Sequence, residues 1–133
     1  MKKKKVVITG ISGLLGSTYA RYLINKGEYE VVGIDNMIGG VEGNVPERAE
    51  YIRGDIQDTA LLTEICEGAD CVFHTAALPY EGLSVFSPAI TTNSIVSGTV
   101  SVASACIANG VRLLINCSSM ARYGGQQPPF TED

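Results

Sequence analysis

The 133-residue sequence lacks the residue patterns on which metal-binding, disulfide-stabilised and membrane proteins depend. It has one histidine, and no two of its four cysteines are spaced as Cys-x-x-Cys, so neither a zinc site nor a disulfide scaffold is indicated. No uninterrupted apolar run approaches the roughly 18 residues that span a bilayer or resembles a targeting signal. We therefore expect reduced, buried thiols in a cytoplasmic protein without a membrane-spanning segment.

Basic residues are scarce beyond the N-terminus. Residues 2–5 are four lysines, and residues 6–133 hold six basic against fourteen acidic residues, a net charge of −8. Nucleic-acid binding relies on clustered lysine and arginine to displace counterions, so this balance argues against a nucleic-acid partner. Apolar residues make up 45% of the chain, which indicates one globular domain over residues 1–133.

Short apolar runs alternate with helical patterns along the chain, which is typical of β-α-β units around a parallel sheet. The predicted strands cover residues 6–9, 30–35, 50–53, 70–76 and 111–117. Right-handed crossovers between them predict the strand order 3-2-1-4-5. Residues 36–49 and 78–88 are predicted loops.

Three helical segments connect these strands. Asp58 is expected to cap the second of them, and a glycine follows each as a stop signal. The residues expected to face the core recur at helical spacing: Leu15, Tyr19, Tyr22 and Leu23 in the first, Leu61, Leu62 and Ile65 in the second, and Ile95, Thr99, Val102, Ala103 and Cys106 in the third, over 89–109.

Glycines follow the first predicted strand in the run TGISGLLG. Gly10, Gly13 and Gly16 occupy a strand-to-helix turn, where side chains would block the close approach of a diphosphate. Asp35 ends the second strand 19 residues after Gly16, near the spacing at which a carboxylate accepts hydrogen bonds from an adenosine ribose. Asp35 would repel a 2′-phosphate and Asn36 supplies no cation, so the pattern favours NAD over NADP. The alternative is that Asp35 is only a turn residue.

These motifs occur in one order with GDIQD at 54–58, VFHTAA at 72–77 and CSSMARYG at 117–124. The chain thereby resembles the extended short-chain dehydrogenase/reductase family, and within it the NAD-dependent nucleotide-sugar epimerases and dehydratases. The resemblance runs from Lys5 to the last residue. It implies an α/β fold of the Rossmann type, a doubly wound parallel sheet, and tightly held NAD.

The resemblance also implies roles for individual residues. Ser119 matches the catalytic Ser or Thr that hydrogen-bonds the sugar hydroxyl or keto oxygen. Met120 and Ala121 replace the Asp-Glu pair of the family's dehydratases, which disfavours sugar dehydration. The cofactor-binding residues that it implies are Gly10, Gly13, Leu14, Leu15 and Gly16 at the pyrophosphate, Asp35 and Asn36 at the adenosine ribose, Asp55 and Ile56 beside the adenine, and Thr75, Ala76, Ala77 and Leu78 along the ribose on the nicotinamide side.

Several of these residues have an alternative structural interpretation. Asp55 is equally suited to be a turn or cap partner of Asp58. Ser119, with Ser118 before it, is equally suited to cap the exit of the fifth strand. We interpret His74 as a hydrogen-bonded core residue without a chemical role. Tyr123 is expected to be structural.

The chain departs from the family pattern at two places. Ile95 stands where the family has an asparagine, and whether Asn93 replaces it stays open. The family's general base is a tyrosine in a Tyr-x-x-x-Lys motif, and no such motif follows Ser119. We therefore expect the N-terminal portion of a longer epimerase, truncated before the sixth strand and the substrate lobe, with the fifth strand as an exposed edge.

Three functions are compatible with these residues. The first is epimerisation of a nucleotide sugar through a transient 4-keto intermediate, with hydride transfer to and from NAD. The second is a 3β-hydroxysteroid or dihydroflavonol-type oxidoreductase, which the VFHTAA run also resembles. The third is a non-catalytic NAD-binding module. For the epimerase, the resemblance implies a nucleotide-sugar partner and a homodimer formed through helices that include the one over 89–109.

Overall fold

A five-stranded parallel sheet forms the centre of the computed structural model, which describes residues 2–132. The strands are β1 (Lys4–Thr9), β2 (Tyr29–Asp35), β3 (Glu50–Arg53), β4 (Cys71–His74) and β5 (Leu113–Asn116). They lie in the order β3-β2-β1-β4-β5, and all four pairs are parallel. The predicted fold class and strand order are confirmed.

Helices cover both faces of this sheet. They are α1 (Leu14–Lys26), α2 (Thr59–Ile65), α3 (Leu83–Phe86), α4 (Pro88–Thr92) and α5 (Gly98–Ala108), and a π-helical segment (Asn93–Ser97) joins α4 to α5. Single 3-10 turns lie at Glu42–Asn44 and Met120–Tyr123. The short helix α3 lies inside the predicted 78–88 loop.

The central strand β1 is buried on both faces, because its alternate side chains point into two different cores. Val7 belongs to the core beneath α2 and α5, whereas Val6 and Ile8 belong to the core beneath α1. Such two-sided burial explains why β1 is a continuous apolar run rather than an alternating one.

The residues by which the helices pack against these cores differ in part from the predicted ones. In α1, Leu15 and Tyr22 are 52% and 55% exposed, and the inward face is Gly16, Ser17, Ala20, Leu23 and Ile24. Small residues at the start of α1 let it approach the preceding turn closely, and this contact sets the rotation of the helix. The predicted inward residues of the second helix, Leu61, Leu62 and Ile65, are confirmed. Asp58 caps α2 as predicted, because its side chain accepts from the Leu61 N–H at 3.0 Å.

The predicted inward position of Ile95 is wrong, because this residue is 40% exposed. The buried residues of the third segment are Gly98, Val102, Ala105 and Cys106 in α5, so the predicted inward positions of Val102 and Cys106 are confirmed. The continuous helix Pro88–Ala108 is 21 residues long with a mean hydropathy of 1.3, so by length and composition alone it could cross a membrane. Core helices of soluble proteins meet the same criterion, so the expectation of no membrane-spanning segment stays a prediction.

The strand β5 forms one edge of the sheet, and within residues 2–132 it pairs only with β4. Leu113 in it is 42% exposed, as expected for an uncovered edge. The expectation of buried thiols holds for Cys66 and Cys106 but is wrong for Cys117, which is exposed because it directly follows this edge strand.

Candidate functional site

A groove of about 350 Å³ opens at the carboxyl ends of the central strands. Open α/β sheets bind ligands at this edge, where the strand order reverses on either side of β1. Four chain segments and one helix residue line the groove: the turn after β1, the end of β2 with residues 38–40, Gly54 and Ile56 after β3, residues 75–79 after β4, and Ser94. All cofactor residues expected from the sequence line it except Asp55.

The turn after β1 forms the floor of the groove and tolerates only glycine at two positions. Gly10 has a φ of +75°, and a Cβ there would lie 2.8 Å from the Ala76 nitrogen. A Cβ at Gly16 would overlap the carbonyl oxygen of Gly10. The missing side chains therefore let three backbone segments meet beneath the groove.

The N-terminus of α1 is open toward the groove. Gly13 occupies the N-cap position without a side-chain hydrogen bond, and the first turn holds no acidic residue. No side chain of the first turn therefore compensates the partial positive charge of the helix end. A cradle of this kind fits a pyrophosphate, because backbone N–H groups and the helix dipole both favour an anion.

Asp35 stands at the end of β2 with both carboxylate oxygens engaged by backbone. Its Oδ2 accepts from the Ser12 N–H at 3.0 Å, and its Oδ1 accepts from the Met37 N–H at 2.8 Å. Met37 has a φ of 67°, which closes this tight turn. The carboxylate thus makes the turn contacts of the alternative interpretation and also lines the groove, and each oxygen retains a lone pair for a ligand hydroxyl.

Comparison with known proteins identifies the family. A sequence model of the NAD dependent epimerase/dehydratase family matches residues 6–133. The chain belongs to this family. It is 36% identical over 132 residues to a UDP-glucose 4-epimerase of Streptomyces lividans. The aligned region covers 96% of this chain but only 40% of that relative. It is also 36% identical over 138 residues to a UDP-glucose 4-epimerase of Klebsiella pneumoniae, covering 96% of this chain and 99% of that relative.

Solved epimerase structures share the fold. The UDP-glucose 4-epimerase of Brucella ovis in complex with NAD superposes with a TM-score of 0.90 at 35% identity, over 97% of this chain and 40% of that one. A UDP-N-acetylglucosamine 4-epimerase of Methanobrevibacter ruminantium in complex with UDP-N-acetylmuramic acid superposes with a TM-score of 0.90 at 34% identity. This superposition covers 99% of this chain and 43% of that one. The resemblance inferred from the motifs is confirmed.

Asp55, which the epimerase/dehydratase pattern assigns to the adenine, does not itself line the groove. Its Oδ2 accepts from the Asn36 side-chain amide at 2.8 Å, its Oδ1 from the Gln57 N–H at 2.9 Å, and its carbonyl from the Asp58 N–H at 3.0 Å. The structure therefore shows the turn interpretation, with Asp55 acting on the groove through Asn36. A direct contact with adenine stays a prediction.

Ser119, the family's catalytic position, does not line the groove. It is exposed, and its Oγ accepts from the Ala121 N–H at 3.2 Å, so it caps the 3-10 turn that follows. This contact matches the capping interpretation, and the catalytic role stays a prediction. Tyr123 stacks on Phe130 with ring centroids 4.9 Å apart, in agreement with a structural role.

Sequence reasoning missed several groove residues. Ser94 lines the groove whereas Asn93 does not, because the π-helical segment that begins at Asn93 changes the rotation of the helix. Gly39 and Gly40 line it too, and a Cβ at Gly40 would overlap the Ser12 Oγ. In the sequence, the Gly-Gly pair at 39–40 was a signal that could have predicted this close packing. No sequence pattern marked Ser94 as a groove residue.

His74 is a core residue, as expected. It is 3% exposed, and both ring nitrogens have threonine partners: Nδ1 lies 2.6 Å from the Thr9 Oγ1 and Nε2 lies 2.9 Å from the Thr99 Oγ1. Burial lowers the pKa of His74 below the ordinary value of 6.5. The imidazole is therefore neutral near pH 7.

Proposed function

We propose that this chain is a dinucleotide-binding module that holds NAD in the groove, with the pyrophosphate at the turn of Gly10, Gly13 and Gly16 and the adenosine ribose at Asp35. The observation that carries the proposal is the placement of a fixed carboxylate and an uncapped helix end in one groove. The segment Thr75, Ala76, Ala77 and Leu78 forms another wall of the groove, where the nicotinamide ribose would lie, and the first three of these side chains are small.

The charge of Asp35 supports NAD rather than NADP. The carboxylate can accept from both hydroxyls of an adenosine ribose, whereas it would repel a phosphate on the 2′ oxygen. Ser12 and Met37 hold it by their N–H groups, so it cannot rotate away without leaving two backbone donors unsatisfied.

Titration calorimetry with NAD and NADP tests this proposal on the wild type, Asp35→Ala and Asp58→Ala. Asp58 is the matched control, because it caps α2 outside the groove. We expect Asp35→Ala to weaken NAD binding by about tenfold or more, as loss of a charge-assisted hydrogen bond costs about 1.5–3 kcal/mol. The NADP-to-NAD affinity ratio should rise in this variant, which a mere loss of structure would not produce.

Asp58→Ala should lower stability by about 1 kcal/mol through loss of the cap and leave the NAD affinity unchanged. Absence of NAD binding by the wild type would refute the proposal. Equal NAD affinities in all three proteins would refute the role of Asp35.

We further propose that the protein is a nucleotide-sugar 4-epimerase acting on a UDP-hexose. The support is the family membership, the names of the relatives and the absence of an Asp-Glu pair after Ser119, where Met120 and Ala121 stand. The bound NAD would supply reversible hydride transfer, and Ser119 would hydrogen-bond the sugar oxygen. The chain spans about 40% of the Streptomyces lividans relative, and its 133 residues contain no Tyr-x-x-x-Lys motif after Ser119.

Interconversion of UDP-glucose and UDP-galactose in the presence of NAD tests the epimerase proposal. We expect NAD binding without turnover from the 133 residues alone, and interconversion from a protein that also carries the Tyr-x-x-x-Lys motif. Net accumulation of NADH with a simple alcohol would contradict the proposal and favour the oxidoreductase function, because an epimerase regenerates its NAD in every cycle.

We propose that two copies associate through the outer face of the Pro88–Ala108 helix. Val96, Val100 and Ile107 recur on this face at helical spacing and are 56%, 59% and 81% exposed. Sedimentation velocity should show a dimer that Val100→Asp dissociates. Val41→Asp is the matched control, since Val41 is 60% exposed outside this helix. A monomeric wild type that floats with lipid vesicles would refute the dimer and assign the face to a membrane.

We propose a reducing, cytoplasmic location for the chain. All four cysteines are free in the structure. Mass spectrometry after alkylation without reductant should find four modified thiols once the protein is unfolded. Recovery of a native disulfide would contradict the proposal.

A further inference from the structure

The single histidine joins three elements that surround the groove. His74 ends β4, Thr9 ends β1 directly before Gly10, and Thr99 lies in the first turn of α5. The ring contacts Thr9 through Nδ1 and Thr99 through Nε2, across 65 and 25 residues of sequence. These contacts join the ends of β1 and β4, from which the floor of the groove and the wall of residues 75–79 begin.

The hydrogen-bond partners of Thr9 determine which ring nitrogen carries the proton. The Thr9 Oγ1 already accepts from the Ala76 N–H at 3.2 Å, and a threonine hydroxyl has a single proton to donate. Its other partner is the His74 Nδ1. If Nδ1 donated, the hydroxyl would accept twice and its own proton would be buried without an acceptor, so we infer that the hydroxyl donates to Nδ1. The imidazole then carries its proton on Nε2, which donates to the Thr99 Oγ1.

Thr9 in turn forms hydrogen bonds with the start of the wall of residues 75–79. Its carbonyl accepts from the Thr75 N–H at 3.2 Å and from the Thr75 Oγ1 at 2.7 Å, and its hydroxyl accepts from Ala76. The glycine turn is in close contact with the same wall, because a Cβ at Gly10 would lie 2.8 Å from the Ala76 nitrogen. A shift of Thr9 therefore moves the floor of the groove and this wall together.

We propose that His74 is a positioning residue for the nicotinamide half of the cofactor, acting as a neutral, Nε2-protonated imidazole that orients the Thr9 hydroxyl toward itself and leaves its lone pair for the Ala76 N–H. His74 does not touch the ligand. It holds the segment 75–78 at a set distance from the Gly10 turn. The ligand in this proposal rests on the proposed function, whereas the tautomer and the Ala76 hydrogen bond do not.

Two substitutions separate the two ring contacts. In His74→Asn the amide oxygen takes the place of Nδ1 and can accept from Thr9, while the Thr99 contact is lost. In His74→Gln the amide nitrogen takes the place of Nε2 and can donate to Thr99, while the Thr9 contact is lost. Thr9→Val and Thr99→Val form the second matched pair, since each removes one hydroxyl from a side chain of nearly the same shape.

We expect His74→Asn and Thr99→Val to retain NAD affinity within about threefold, and His74→Gln and Thr9→Val to lose about tenfold or more, which corresponds to about 1.4 kcal/mol. Circular dichroism establishes that each variant is folded at the titration temperature. Hydrogen exchange at the Ala76 amide should accelerate in the second group only. The ¹⁵N shifts of the wild-type ring should show a protonated Nε2.

A wild-type ring protonated on Nδ1, or equal loss of NAD affinity in His74→Asn and His74→Gln, would overturn the proposal. If the wild type failed to bind NAD while the ring tautomer and the Ala76 exchange followed the expected pattern, the proposed cofactor would be wrong and the positioning of the wall would stand. The two failures are therefore distinguishable.

Discussion

Replacement of Gly16 by alanine tests the idea that the start of α1 is in backbone contact with the glycine turn. A Cβ at this position would lie 2.9 Å from the Gly10 carbonyl carbon and 3.0 Å from the Ile11 Cα, with the Gly10 oxygen closer still. All three atoms belong to the backbone of a rigid turn. The clash can be relieved only if the helix end moves away from the turn.

Gly98→Ala is the matched control, since Gly98 is also a buried glycine in a helix. The Cβ there would lie 2.5 Å from the Ile56 Cδ1, the flexible end of a side chain that can rotate away. Exchange of glycine for alanine within a helix stabilises by about 1 kcal/mol in itself. At Gly98 this gain should offset most of the adjustment, so we expect a change of less than about 1 kcal/mol.

At Gly16 the overpacking should cost about 1–3 kcal/mol or more and exceed the gain in helix propensity. Each kcal/mol should lower the unfolding midpoint by about 3–5 °C in a domain of this size. Thermal unfolding by circular dichroism measures the loss, and NAD titration reports whether the displaced helix end still binds. A Gly16→Ala variant as stable as the wild type, with unchanged NAD affinity, would refute the reasoning.

Three further predictions concern the core. Because burial lowers the pKa of His74 below 6.5, the unfolded chain binds a proton that the folded chain does not as the pH falls from 6.5 toward the lowered value. The unfolding free energy from urea titrations should therefore fall more steeply in the wild type than in His74→Asn over this window, and equal slopes would contradict the assignment. Exposed Cys117 should react with Ellman's reagent in the native protein, whereas buried Cys66 and Cys106 should react only on unfolding. Burial is also the main reason why the pKa of the Cys66 thiol is raised to about 11. Leu62→Ala, at a fully buried position, should destabilise by about 2–5 kcal/mol in urea, and a loss below 1 kcal/mol would show that the core collapses around it.

The strand order and the location of the groove could be predicted because both follow from local patterns. β-branched runs followed by glycines mark the carboxyl ends of strands, and these ends share one edge of a parallel sheet. The helix rotations could not be predicted in the same way. In α1 the side chains of Leu15 and Tyr22 follow an apolar period, yet the small Gly16 and Ser17 face inward because that turn of the helix is pressed against backbone.

The positions of the candidate site residues were likewise predictable only where they follow from the ends of strands. The position of Asp35 in the groove could be predicted from its distance along the chain to the glycines, since that position depends on two adjacent strand ends. The positions of Asp55 and Ser119 outside the groove lining could not be predicted in this way, because each side chain is held by a local turn whose geometry only the folded chain reveals. Ser94 faces the groove through a π-helical segment that has no signature in the order of residues.

The sequence by itself determined that this protein has a parallel sheet with a glycine turn suited to a dinucleotide, because period, turn chemistry and spacing act over a few neighbouring residues. Only the tertiary structure decided which side chains reach the groove and which stand behind it. His74 shows the difference: the sequence marked it as a buried histidine, and its partners Thr9 and Thr99 became visible only when 65 and 25 residues of intervening chain had folded. Contacts over such separations depend on how the elements pack, and no local pattern records them.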